Sequence, residues 1–190
     1  RGMKLKNANL KETSIIDVDL REANLERAIF EGAYLSNVDL RKTNLFDVNM
    51  NRAHLNDVNI SNTHLLGGFL AEANLSRSNL SRISIRGAKF RGATFKKSNL
   101  YEANIIQADM SETDFRLADV EGAGFLDTDL TNADFQGADL ENVTFHDAIL
   151  VGTDFKGAIL RGAKFINCNL QEAYTARANL KGVTYQIHES

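Results

Sequence analysis

Proline and tryptophan are absent from this chain of 190 residues, and cysteine occurs once, at Cys168. Proline removes a ladder hydrogen bond, so its absence suits a chain of continuous backbone ladders. A lone cysteine excludes an internal disulfide and fits a reducing compartment. No apolar run approaches the ~18 residues that span a membrane as a helix. Arg1 to Leu10 has no apolar signal-peptide region. A cytoplasmic protein with no membrane contact is the expectation. Strong net charge is also missing, at only −3. That sum conceals an asymmetry. Residues 1–100 carry 16 Lys and Arg against 10 Asp and Glu, whereas residues 101–190 carry 6 against 15. The two halves therefore present opposite fields to a partner.

What is present is a period of five. Of the 37 positions divisible by five from Leu5 to Tyr185, 36 are Leu, Ile, Met, Phe, Val or Tyr; Thr175 is the exception. Two positions earlier the residues are small or β-branched, as at Ala8, Thr13, Val18, Ala23 and Cys168. Between them stands Asn or Asp in many repeats, and the other two positions are mostly polar, charged or Gly. Five matches neither the 3.6 of a helix nor the 2 of a strand. It implies a chain that turns the same way after each short extended piece, one large and one small side chain pointing inward, and so a solenoid.

The pattern, with Ala-Asn-Leu at 8–10, 23–25, 73–75 and 178–180 and Ala-Asp-Leu at 138–140, resembles the pentapeptide-repeat family across about 3 to 187. The resemblance implies an all-β fold. It is a right-handed quadrilateral parallel β-helix, four pentapeptides (20 residues) per coil, with about nine coils in this chain. Residues 1–187 then form one domain and 188–190 a C-terminal tail. Phenylalanine spacing supports the 20-residue coil. Phe115, Phe135 and Phe155 are 20 apart, as are Phe125, Phe145 and Phe165, so aromatics should stack on two opposite inner faces. The register is weaker at Gly68, where a bend or bulge is expected, and beyond residue 171. Arg1 to Leu5 already reads as repeat, which is expected either of a piece of a longer protein or of an end covered by a second copy.

Clustered catalytic groups are lacking. In a 20-residue coil, His54 and His64 fall on opposite outer faces and cannot share a metal or a proton. Cys168 sits where Ala is usual and reads as a buried inert thiol. Glycines such as Gly87, Gly122, Gly137, Gly157 and Gly162 share one repeat position and read as turn residues, not as a phosphate loop. The expectation is no enzymatic activity, no catalytic or metal-ligating residue and no cofactor.

Columns 20 residues apart single out three surface features. Phe46, Leu66, Ile106, Leu126 and Ile166 form an apolar ridge at a position that in the other columns is almost wholly polar, with Ile16, Tyr101 and Val151 as scattered exceptions. Asp109, Asp114, Asp119, Asp129, Asp134, Asp139 and Asp154 form an acidic face within residues 101–155, which hold 13 acids and one base, Arg116. Arg77, Arg82, Arg86, Lys89, Arg91, Lys96 and Lys97 form a basic collar in residues 76–100, which contain no acid. Each has a plain alternative: cross-strand packing, aspartates bonding nearby backbone, and a solvated collar. The basic run is short and lacks interleaved aromatics, so direct nucleic-acid binding is not expected.

The leading expectation is a non-catalytic scaffold binding a protein partner, or a second copy through the ridge or a coil end. A second comes from the resemblance, which includes bacterial quinolone-resistance proteins thought to imitate duplex DNA and bind a type II topoisomerase. There the modest net charge and the interrupting basic zone count against the idea. A third is an interaction domain of a larger protein, including bacterial effectors in which such a β-helix precedes an enzymatic domain.

Overall fold

Inward side chains at every fifth position create a continuous apolar column, and the backbone bends around it four times per turn. The computed structural model describes residues 1–170 and 172–187. The expected tail at 188–190 lies outside the described residues. From Leu20 to Phe165 the large residues and the small residues two positions earlier are buried, for example Leu25, Ala28, Phe90 and Ala93. Parallel bridges join residues 20 apart, as in Asn74 with Thr94 and Thr94 with Asp114. Backbone bonds run up and down the axis. Leu25 N–H donates to Asn44 C=O at 2.9 Å and Asn44 N–H to Ala23 C=O at 3.0 Å. The result is a right-handed quadrilateral β-helix of about nine turns. At ~4.8 Å per coil it is a rod roughly 43 Å long.

Corners come in two forms. In one, the small residue's N–H donates back to the large residue three before it, as from Ala133 to Leu130 at 2.9 Å. In the other the corner is a three-residue strand. These strands are β1 (Ser14–Ile16), β2 (Tyr34–Ser36), β3 (His64–Leu66), β4 (Ser84–Arg86), β5 (Asn104–Ile106), β6 (Gly124–Leu126), β7 (Thr144–His146), β8 (Lys164–Ile166) and β9 (Thr184–Gln186). β1 pairs with β2, and β3 to β9 form a seven-stranded parallel sheet. Tyr34 and His64 are 30 residues apart, one and a half coils. The extended corner therefore changes sides of the rod between β2 and β3.

The phenylalanines stack as the spacing predicts. Ring centroids of Phe115 and Phe135 lie 4.5 Å apart and those of Phe145 and Phe165 5.0 Å apart. Edge contacts such as Phe125 to Phe135, at 6.1 Å, lock the two columns together. Where the small inward residue is Ser or Thr, its hydroxyl donates to a core carbonyl: Thr43 to Leu40 at 2.6 Å, Thr153 to Leu130 at 2.9 Å. Among the described residues no buried side-chain polar atom lacks a partner.

The bend expected at Gly68 does not form. Lys89 N–H donates to Gly68 C=O at 2.9 Å, and the bridges of Phe69 to Asn49 and Lys89 hold the register. Ends of Leu70, Val48 and Leu65 approach within 3.2–3.4 Å of where a Cβ would stand. Neighbouring side chains fill the gap, so the backbone need not move. Beyond residue 171 the pairing of β8 with β9 also persists, although Tyr185 and Leu180 are exposed.

Candidate interaction surfaces

The Asn or Asp between each small and large core residue has a local task. Its Oδ1 accepts the N–H two residues on, replacing a backbone partner that the corner cannot supply. Asn24 accepts from Glu26 at 3.1 Å, and Asn74 from Ser76 at 3.0 Å. All seven aspartates of the acidic face do the same. Asp109, Asp114, Asp119 and Asp129 accept from Ser111, Arg116, Glu121 and Thr131. Asp134, Asp139 and Asp154 accept from Gln136, Glu141 and Lys156. They line three columns, bridged as Asp109 with Asp129, Asp114 with Asp134 and Asp154, and Asp119 with Asp139. An amide oxygen serves the turn as well as a carboxylate does. The negative charge is therefore surplus to the local structure.

Arg116 sits inside this zone and donates two bonds to Asp114, at 2.9 and 2.6 Å, while lying 3.6 Å from Asp134. Burial works against the charged form of Asp114, but the hydrogen bonds and charge of Arg116 prevail and its pKa falls below the ordinary value. Glu121 moves the other way. Desolvation first, then the charges of Glu141, Asp139 and Asp119, push its pKa up.

The basic collar is dispersed. Arg77 pairs with Asp57, Arg82 with Glu102 and Arg91 with Glu112, at 2.6–2.8 Å, each using an acid one coil away. Arg86 stands on the sheet of β3–β9, whereas Lys89, Lys96 and Lys97 project from other sides. Three of the seven bases in the run free of acids in sequence are thus paired with acids in space.

The apolar ridge lies along one column. Leu66, Ile106, Leu126 and Ile166 are the third residues of β3, β5, β6 and β8. Their register runs Leu66, Arg86, Ile106, Leu126, His146, Ile166. Leu66 is 46% exposed, while Ile106, Leu126 and Ile166 are half-buried. Phe46 occupies the same column in a turn, with the Arg27 guanidinium 5.8 Å over its ring.

His54 stacks on Tyr34 with centroids 4.0 Å apart, on the side opposite His64. His146 Nε2 lies 3.3 Å from Asp147. Cys168 is half-buried rather than buried; its Sγ–H donates to Ile166 C=O at 3.3 Å, and burial raises its pKa. Among the described residues no group of three His, Cys, Asp or Glu side chains is placed to hold a metal ion. Nor, among the described residues, is any helix long and apolar enough to cross a membrane.

The charge and ridge columns do not contain one further surface residue. Leu117 stands at the turn position with φ +59° and is 53% exposed. Gly, Asn, Asp or a long polar residue fills the other turn positions with a positive φ. The visible signal was a leucine in a glycine-type slot.

Four-sided coils, stacked aromatic columns and side-chain-capped corners define a β-solenoid built from five-residue repeats. Residues 78–155 match the pentapeptide repeat region, and residues 1–32, 8–52, 53–92 and 158–184 match the pentapeptide repeats (8 copies). The chain belongs to the pentapeptide repeat family. Among solved structures it is similar to a trypsin-treated form of QnrB1, a plasmid-mediated fluoroquinolone resistance protein. That likeness has 18% identity and a TM-score of 0.57, covering 97% of this chain and 90% of that one. A second trypsin-treated QnrB1 gives 17% identity and a TM-score of 0.54, covering 93% and 91%. HetL, a pentapeptide repeat protein involved in heterocyst differentiation regulation from the cyanobacterium Nostoc sp., gives 24% identity and a TM-score of 0.46, covering 95% and 87%. These likenesses are of fold. No curated protein sequence matches the chain.

Proposed function

We propose that the chain is a non-catalytic interaction module, presenting the outer faces of a rigid β-helix to a protein partner. The observation that carries this reading is the sheet of β3–β9, where Leu66, Ile106, Leu126 and Ile166 occupy outward strand positions in one column. Elsewhere that repeat position is almost wholly polar. An aligned apolar strip on a flat face is a surface that a partner, or a second copy, desolvates at little entropic cost. Replacing Leu66→Asp together with Leu126→Asp tests it. The variant keeps the circular dichroism of the parent and loses a partner recovered by affinity purification, or a dimer seen by light scattering. An unchanged mass with an unchanged set of recovered proteins overturns the reading.

The acidic columns favour a second reading, imitation of duplex DNA toward a type II topoisomerase. Its support is that seven carboxylates stand where neutral asparagine would cap the same turns, leaving ordered charge for a basic DNA-binding surface. A supercoiling assay with and without a quinolone decides it; no effect at large protein excess removes it.

A further inference from the structure

One corner of the rod breaks the charge pattern of the C-terminal half. After the column Phe95, Phe115, Phe135, Phe155, the first turn residues are Lys96, Arg116, Gln136 and Lys156. They line an open groove of about 430 Å³ with Arg177 and Leu117, and none of its lining residues is an acid. Residues 101–190 contain six bases, and three of them, Arg116, Lys156 and Arg177, face this groove. Arg116 is held by Asp114. Lys96, Lys156 and Arg177 make no ion pair among the described residues, so their charge is available to a ligand.

The floor is bare backbone. Gly137 and Gly157 stand in successive coils with φ +66° and +69°, and a Cβ on Gly157 would meet nothing within 4 Å. Leu117 leans along the axis, its Cδ2 3.0 Å from where a Gly137 Cβ would stand. It closes the trough with an exposed apolar wall, at a position where the turn would be less strained with glycine. Cations, an apolar wall and a glycine floor have no common task in the coil.

We propose that this groove binds a short acidic polypeptide segment containing an aliphatic residue, a proposal that rests on the interaction-module reading and names one partner chemistry for it. Lys96 and Lys156 are three coils apart, ~14 Å, which about four extended residues span. Carboxylates meet the free cations while the aliphatic side chain covers Leu117. A long polyanion fits less well. Asp134 and Asp154 on one side, and Asp119 and Asp139 on the other, flank the groove and repel a nucleic-acid backbone that extends past it.

Fluorescence polarisation of the full chain tests this. The probe is a labelled peptide with two aspartates on either side of one leucine; its all-asparagine counterpart and a single-stranded DNA oligonucleotide are the comparisons. Binding is expected for the aspartate peptide alone, falling at least about tenfold in Lys156→Glu with Arg177→Glu and about threefold or more in Leu117→Gly. The Leu66→Asp with Leu126→Asp variant should bind it as the parent does. The proposal is overturned by tighter binding of the oligonucleotide, by an affinity indifferent to the groove variants, or by no binding of the aspartate peptide. If the peptide fails while the ridge variant still loses its partner, the groove falls and the module stands. If both fail, both fall. Circular dichroism of each variant separates lost binding from lost fold.

Discussion

Each corner asks one residue to adopt a positive φ, from +49° at Asp127 to +74° at Gly67. Glycine does so freely, and asparagine with little strain. Gly137 shows both demands of the position. Its φ is +66°, and the space beside it is already taken by Leu117. Gly137→Val adds a branched Cβ to a left-handed backbone and should lower stability by about 2 kcal/mol, against under about 1 kcal/mol for Gly137→Asn. Urea-unfolding midpoints of the two variants check the difference. That glycines at this position are turn residues was legible in the sequence, because they share one phase of the repeat. The neighbour filling each one's missing side chain was not. Gly137 and Gly157 share that phase, yet a Cβ on the first would meet Leu117 at 3.0 Å and a Cβ on the second would meet nothing within 4 Å.

The phenylalanine columns are the elements that stiffen residues 95–165. Phe135 is fully buried between Phe115 and Phe155, with Phe125 and Phe145 edge-on. Phe135→Ala leaves a cavity that stacked coils cannot collapse into, and should cost about 3–5 kcal/mol. Phe135→Leu retains most of the volume and should cost about 1 kcal/mol. Denaturant titrations resolve these steps, and equal losses would argue against a close-packed column. The twenty-residue spacing made this column legible, since a stack needs equal intervals along the chain. The change of side by the extended corner, between β2 and β3, was not. Both corner forms carry the same residue types, and Asn44 and His64 sit at equivalent repeat positions in different conformations. For the candidate surfaces, the ridge residues were legible as a column, but the half-burial of Ile106, Leu126 and Ile166 arises from strand neighbours that a one-dimensional pattern does not display.

On the scale of the whole rod, charge divides into a paired and an unpaired part. Sequence shows the collar of Arg77, Arg82 and Arg91 as free of acid; the coil brings Asp57, Glu102 and Glu112 to them. Hydrogen bonds from basic side chains hold the pKa values of Asp19, Glu22, Asp39, Asp57 and Glu102 below their ordinary values. A carboxylate with a lowered folded pKa stabilises the fold above its unfolded value, and that contribution disappears as pH falls through the folded one. Glu121, with a raised pKa, has the opposite sign: protonation relieves its desolvation first, then its repulsion from Glu141, Asp139 and Asp119. Hydrogen exchange corrected for intrinsic rate should therefore show coils before residue 102 losing protection as pH falls below ~4, while the coils at 119–141 hold or gain it. A uniform change along the rod would contradict this division.

The central claim is that the repeat builds the rod while surface charge is free for recognition. Its most direct measurement is the urea midpoint at neutral pH of one variant with Asp109, Asp114, Asp119, Asp129, Asp134, Asp139 and Asp154 all replaced by Asn. Each Asn keeps the turn acceptor and like charges in the bridged columns are removed; what is lost is the surface pairing of Arg116 with Asp114 and Asp134 and the bonds from Gln136 Nε2 to Asp134 and Asp154, which contribute little beside the turns. The account predicts a midpoint equal to or above that of the parent, with an unchanged slope. A midpoint well below the parent would show that the carboxylates themselves hold the coils together.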